Sequence, residues 1–434
     1  MQGNADWIGR RVHYAWFVVA VIFLVLLASS GLRAAYGVLI VPLEQAFGWT
    51  RAAISGPLSV GLLLFGLMGP FAAALMQRFG VRATVMTALA ILAAGCALSN
   101  LMTEPWHLMM TWGVMVGAGT GSVAVVLGAV IANRWFVAHR GLVLGIFTGS
   151  IATGQLIFLP LLATIAERSG WHPVTWVAAL AAAAVLPLVY FFLPEHPKDI
   201  GITPLGASKD DEGELAERAH ARTNPIKVAF TSLGNAVGSR DFWLLSASFF
   251  VCGMSTNGLV GTHLIPMCFD AGVAQTMAAG ILAVMGVFNV IGTTLSGWLS
   301  DRWDSRWLLF WYYALRGVSL LYLPFSDFGL YGLSLFAVFY GLDWLATGPP
   351  TMRLITDVFG RREAPILFGW IFAMHQVGAA SAAWGAGTMR TLLLTYVEAF
   401  VIAGIGCFVA ALLSLGVNRR RTGIAGRRPG LAAG

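Results

Sequence analysis

The chain has 434 residues, of which 58% are hydrophobic and 11% charged, and its mean hydropathy is +0.76. That balance excludes an ordinary soluble domain and a disordered chain, and it requires a polytopic membrane protein. The net charge of +7 raises nucleic acid as a partner, so the placement of the basic residues has to decide its meaning.

Runs with few charges cover residues 14–43, 51–76, 81–101, 106–135, 140–166, 171–193, 242–269, 275–299, 307–325, 328–356, 365–389 and 392–416, which predicts twelve membrane-spanning helices. The first run follows Arg10 and Arg11. It is too long for a signal-peptide core and no clear small-residue cleavage site follows it, so it reads as a retained helix. With both termini cytoplasmic, Arg10, Arg11, Arg78, Arg82, Arg134, Arg140, Arg302, Arg306, Arg361, Arg362 and the basic residues of the central loop and tail share one side. Only Arg51, Arg168 and Arg390 fall on the other, while Arg33, Arg316 and Arg353 lie within spans. The basic excess therefore reports orientation, not a nucleic-acid partner. Cys96, Cys252, Cys268 and Cys407 have no CxxC or metal-like spacing, and no nucleophile–base pair is apparent in the spans. The expectation is a protein that is not an enzyme and has no cofactor or metal.

Arg33 has no acidic residue nearby before Glu44. A charge at the bilayer centre costs from about 3 to over 10 kcal/mol, so an intramembrane Arg normally faces a bundle interior or a water-filled cavity. Its neighbours Ser29, Ser30, Gly31, Ala34, Ala35 and Gly37 are small enough for a close approach. Residues 14–32 could also span the bilayer unaided and leave Arg33 snorkelling at the outer surface. The stretch alone leaves both readings open.

The segment 195–240 breaks the apolar pattern with Lys209-Asp210-Asp211-Glu212-Gly213-Glu214 and reads as a solvated cytoplasmic linker between an N-terminal six-helix unit (1–194) and a C-terminal one (241–417). Residues 418–434 form a basic tail. The two units repeat one another at an offset of 224: Leu75-Met76-Gln77-Arg78-Phe79 with Arg82 lies over Leu299-Ser300-Asp301-Arg302-Trp303 with Arg306. Val41-Pro42-Leu43 lies over Ile265-Pro266-Met267, and Gly145 over Gly369. Such parallel repeats place a solute near the midplane between them.

With these paired loops the chain resembles the major facilitator superfamily. That family's usual loop motif, Gly-x4-Asp-Arg-x-Gly-x-Arg, has Ala72 and Gln77 here in place of its Gly and Asp, but Arg78, Gly80 and Arg82 remain; the second copy keeps Gly297, Asp301, Arg302 and Arg306. The resemblance implies a cytoplasmic gate motif of Gln77, Arg78, Arg82, Asp301, Arg302 and Arg306, latching that side in the outward-facing state. A narrower resemblance is to the bacterial monocarboxylate and oxalate-formate branch. It is carried by Phe47-Gly48-Trp49-Thr50-Arg51-Ala52, Arg134-Trp135-Phe136, Pro197-Lys198-Asp199-Ile200-Gly201, Gly341-Leu342-Asp343-Trp344 and Phe368-Gly369-Trp370 with His375-Gln376. Animal monocarboxylate carriers have an Asp and an Arg one turn apart in the eighth helix, where this chain has Asn289 and Thr293. Their main anion clamp is absent. The family places a basic residue near Arg33, which moves Arg33 towards the cavity as the remaining anion anchor, with Asn257 opposite it at the repeat offset.

Asp343 is the only acid well inside a span, and Arg316 is its expected ion-pair partner. His375 and Asp343 are the proton-coupling candidates, because a histidine titrates near working pH and an intramembrane carboxylate can relay protons. Arg33, Gln155, Asn257, Asn289 and His375 are the substrate-binding candidates, and Gln155, Asn257 and Asn289, together with His263, rank lower for lining the same cavity. Gly113, Gly117 and Gly121, and likewise Gly141, Gly145 and Gly149, form small-xxx-small ladders that predict close helix packing. The expected protein is a secondary transporter of the bacterial inner membrane, acting as a monomer, which moves a small organic anion, most simply a monocarboxylate, with protons. An exporter or exchanger of a larger amphipathic solute is the alternative, and a non-transporting receptor or membrane enzyme a remote one.

Overall fold

A computed structural model describes residues 13–207, 225–361 and 363–418. Among the described residues, twelve helices are long and apolar enough to cross a membrane. The first six are Tyr14–Phe47, Arg51–Phe79, Val81–Leu101, Pro105–Trp135, Arg140–Ser169 and Trp171–Phe192. The last six are Arg240–Asp270, Gln275–Ser300, Ser305–Phe325, Leu330–Phe359, Ala364–Leu393 and Val397–Leu415.

Local chemistry sets the reversals between them. Gly48 takes the left-handed conformation (φ 66°) that ends the first span, and its N–H donates to the Glu44 carbonyl. Thr50 then starts the second span by accepting the Ala53 N–H on its hydroxyl. A three-residue turn thus suffices to return the chain.

The first, fourth, seventh and tenth spans are the most buried, a period of three that puts them at the centre of the bundle. The outer spans show the reverse pattern expected of a lipid solvent. Leu180 and Phe191 of the sixth, Trp311 and Leu315 of the ninth, and Ile402 and Leu412 of the twelfth are exposed.

Two central spans are discontinuous at positions related by the repeat. The fourth breaks at Val123–Ala124 before Val125–Trp135, and the tenth at Trp344–Thr347 before Gly348–Phe359. Offset by 224 residues, Val123 falls on Thr347. The seventh span is π-helical over Met254–Val260, the fourth over Met109–Val116. Irregular backbone of this kind is tolerated at membrane depth only where protein or a cavity covers it.

The glycine ladders divide. A side-chain carbon on Gly117 would sit 2.6 Å from Gly61 Cα, and one on Gly113 would sit 2.9 Å from the Pro57 carbonyl, so the fourth span packs backbone to backbone on the second. Gly141, Gly145 and Gly149 meet nothing within 4 Å. The expectation of a tight ladder there is corrected: these glycines face open space.

The linker's described ends are packed rather than solvated. Glu195 accepts the Val81 and Arg82 N–H groups at 2.7 and 2.8 Å, and Leu205 bridges to Phe136. The helix Pro225–Ala236 docks on the eleventh span, where Trp370 Nε1 donates to the Ala229 carbonyl. The acidic run 209–214, Arg10, Arg11, Arg362 and the tail from 419 lie outside the described residues.

Candidate functional site

Between the first six spans and the last six lies a cavity. Arg33 and Tyr36 of the first span, Leu62 of the second and Gln155 and Leu159 of the fifth line one side of it. Asn257, Gly261 and Thr262 of the seventh, Gly286 and Asn289 of the eighth and Trp344 of the tenth line the other. Arg33, Gln155, Asn257 and Asn289 therefore share one wall-to-wall space. His375 does not line it: it is buried in the eleventh span, stacked on Phe372 and bonded through Nδ1 to Gln376 Nε2 at 3.2 Å.

The Arg33 guanidinium lies 4.4 Å above the Phe65 ring. Among the described residues no carboxylate and no hydrogen-bond acceptor reaches it, whereas Arg316, buried within the ninth span, is fully paired. Arg316 Nε donates to Asp343 Oδ2 at 2.5 Å, and Nη2 donates to the Asp343 carbonyl at 2.6 Å and the Trp344 carbonyl at 3.3 Å. A helix that stops leaves some of its last carbonyls without helical partners, and Arg316 donates to that of Trp344 and adds a second donor to that of Asp343, which also accepts the Ala346 N–H at 3.2 Å. The Arg316–Asp343 pair thus holds the break in the tenth span and sets the position of Trp344, whose ring faces the cavity.

Asn289 serves the same break from the eighth span. Its Oδ1 accepts the Leu345 N–H at 3.1 Å and the Thr293 hydroxyl at 3.0 Å. Since the carbonyl oxygen is spent on these donors, the NH₂ end remains for the cavity.

The face that carries Arg78, Arg82, Asp301, Arg302 and Arg306 is here called the basic face. Arg78 lies over Phe79, Arg82 over Tyr190 and Arg302 over Trp298. Arg306 pairs with Asp304 at 2.7 Å, and Asp301 with Arg353 at 3.3 Å. Glu195 takes the helix-end role of the missing motif Asp at Gln77, and it pairs with Arg134 at 3.6 Å. Among the described residues, no ion pair on this face joins the two sets of six spans.

The opposite face is joined. Arg51, at the start of the second span, donates to both oxygens of Asp270 at the end of the seventh, at 2.7 and 3.1 Å. It also reaches Glu44 at 2.9 Å and the Tyr396 hydroxyl at 2.8 Å. Arg390 donates to Asp270 at 2.7 Å, the Ala52 N–H to Thr391 at 3.1 Å, and the Thr276 N–H to Glu167 at 2.8 Å. Sequence reasoning missed this cluster. The available signal was that Arg51 and Arg390 break the positive-side bias, which a residue does at a cost unless a local partner holds it.

A model of the Major Facilitator Superfamily matches residues 21–383. The chain belongs to the Major Facilitator Superfamily. Among relatives of this facilitator is an uncharacterized MFS-type transporter, YcxA, of Bacillus subtilis, 26% identical and aligned over 92% of this chain and 94% of its own length. Monocarboxylate transporter 13 of Rattus norvegicus is 24% identical over 90% and 86%, and a gallate transporter of Pseudomonas putida 24% identical over 96% and 95%. Among solved structures, a D-xylose-proton symporter superposes with a TM-score of 0.72 at 16% identity, covering 94% of this chain and 98% of that one. A bacterial homolog of the lysosomal transporter Spinster gives 0.71 at 16%, with coverage of 93% and 97%. These superpositions show a shared fold. The chain is a multi-pass facilitator and not an enzyme.

Proposed function

We propose that this facilitator carries a small organic anion, a monocarboxylate, across the bacterial inner membrane by alternating access of two six-helix units, coupled to protons. The observation that carries the reading is Arg33: a guanidinium on the wall of the interior cavity with no acid among the described residues to neutralise it. Such a group is costly until an anion arrives, and its planar fork matches a carboxylate in a way no amide or hydroxyl solute can. The Asn289 amide, with Gln155 and Asn257, supplies hydrogen-bonding groups for the rest of the solute. Two relatives bear the names of a monocarboxylate and a gallate transporter, which supports an acid as cargo. Tyr36 and Trp344 in the wall favour a planar, aromatic acid as a second reading of the same site.

The positive-side bias makes the basic face cytoplasmic. The described contacts then correspond to a state closed to the outside, since the joined face is the outer one. The pseudo-symmetric Gly145 and Gly369 meet nothing within 4 Å, which suits surfaces that come together when the cytoplasmic face closes in turn.

The test is uptake into liposomes loaded with a pH-sensitive dye, with lactate, pyruvate, benzoate and gallate added in turn. Internal acidification above that of protein-free liposomes, lost in Arg33→Gln, is expected. Equal acidification by the mutant would remove Arg33 from the site, and none with any acid would remove the anion reading.

A further inference from the structure

The cluster on the opposite face continues inward as a directional chain of hydrogen bonds. Arg51 can only donate, so the Tyr396 oxygen accepts from it at 2.8 Å. The Tyr396 hydroxyl lies 3.2 Å from His263 Nδ1, and His263 Nε2 lies 2.7 Å from the Ala383 carbonyl. Because a carbonyl only accepts, Nε2 carries the imidazole hydrogen and Nδ1 is left as the acceptor of the Tyr396 proton. Tyr396 keeps that proton, since burial pushes its phenol up to about 12 against the opposing pull of Arg51. The closed face thus demands a neutral His263 with a free Nδ1 lone pair.

His263 follows Thr262 and Gly261, which line the cavity, and it is fully buried while the face is shut. The charged group that reaches it, through Tyr396, is Arg51 of the second span, which is bound in turn to Glu44 at the end of the first span and to Asp270 on His263's own span, where Arg390 of the eleventh span also binds. Arg51 and Arg390 are bound to Glu44 and Asp270, and the eighth span, packed alongside, has no ionisable residue. Among the described residues, no carboxylate in contact with His263 would therefore balance an imidazolium there.

We propose that His263 is the proton-accepting residue of the transport cycle, and that Tyr396 and Arg51 report its state to the Arg51–Asp270 latch. This rests on the proton coupling proposed above. A proton from the open face adds to Nδ1, and Nε2 keeps its own hydrogen on the Ala383 carbonyl. Nδ1 then becomes a donor facing a donor, so Tyr396 must turn, and closure would bury a second cation beside Arg51. The protonated, empty carrier stays open. An anion held by Arg33 near Thr262 supplies the missing countercharge and lets the loaded carrier close, while the deprotonated, empty carrier closes unaided. A proton leak without substrate is thereby prevented.

The experiment uses full-length protein with spin labels on Ala46→Cys and Ala274→Cys, two exposed positions on either side of the latch; the four native cysteines are buried. Label distances are measured at pH 8 and pH 5 without substrate, together with benzoate uptake driven by a pH gradient and benzoate counterflow without one. Wild type is expected to shift to longer distances at pH 5. His263→Gln, whose amide can bond both Tyr396 and Ala383 but takes no proton, is expected to hold one distance at both pH values, to lose at least about tenfold of gradient-driven uptake and to keep counterflow, which also shows that it folds. A His263→Gln that shifts like wild type, or a shift abolished only by Asp270→Asn, overturns the assignment. If wild type shows neither a shift nor gradient-driven uptake, it is the proton-coupling reading itself that fails.

Discussion

Arg33 and Arg316 are both guanidinium groups within the membrane, and their surroundings give them opposite roles. Arg316 is held by Asp343 and two carbonyls, so it belongs to the scaffold. Removing one member of a buried pair leaves the other charge uncompensated, at about 3–5 kcal/mol, whereas replacing both with apolar residues is far milder. Asp343→Asn is therefore expected to lower the unfolding temperature in detergent sharply, and Arg316→Met with Asp343→Leu to recover most of it. Arg33 has no charged partner among the described residues to strand. Arg33→Met is expected to leave thermal stability unchanged or raised, yet to weaken binding of a carboxylate about 10- to 150-fold, the worth of a charge-assisted hydrogen bond of about 1.5–3 kcal/mol. A titration of benzoate against the two proteins checks both directions at once.

At the scale of elements, the broken tenth span is the device that shapes the cavity. Its loose N–H at Leu345 is taken by Asn289, and Arg316 donates to the carbonyls of Asp343 and Trp344. Asn289→Leu orphans the Leu345 N–H and is expected to cost about 1–3 kcal/mol in unfolding experiments. Asn289→Asp keeps an acceptor for Leu345 but removes the NH₂ group from the cavity, so stability should hold while affinity for anions falls. Glycine-to-valine scanning gives a second test. Gly117→Val collides with Gly61 and should prevent folding, whereas Gly145→Val, with nothing within 4 Å, should fold and still impair transport by obstructing closure of the basic face. Nothing in the sequence separates these two glycines, because both sit in the same small-xxx-small pattern and only the neighbouring helix distinguishes them.

For the whole molecule, the opposite-face latch contains two arginines and two acids, distributed so that each half can keep a neutral pair when the halves part. Arg51 would stay with Glu44 and Arg390 with Asp270. Opening then breaks hydrogen bonds without stranding a charge. Glu44→Gln takes away the partner Arg51 would retain and should hold the face shut, while Asp270→Asn cuts the bridge and should open it. A membrane-impermeant maleimide applied to Thr262→Cys from that side is expected to react more slowly than the parent in the first case and faster in the second.

Twelve spans, their orientation bias, the 224-residue repeat and membership of a transporter family were all legible in the sequence, because hydropathy, basic loop residues and repeated loop motifs are properties of composition and order along the chain. An Asp in a span also needs a cation, and Arg316 was the one available to it. What the sequence could not decide was facing. Arg33, Gln155, Asn257 and Asn289 come together on one cavity while His375, as polar as any of them, is turned into packing between Phe249 and Phe372. Tyr36 and Trp344 in the wall, and the joining of Arg51 to Asp270 and Tyr396 across more than two hundred residues, likewise depend on how the helices rotate and pack. Rotation of a helix about its axis is set by the neighbours it meets, and those neighbours exist only in the folded bundle.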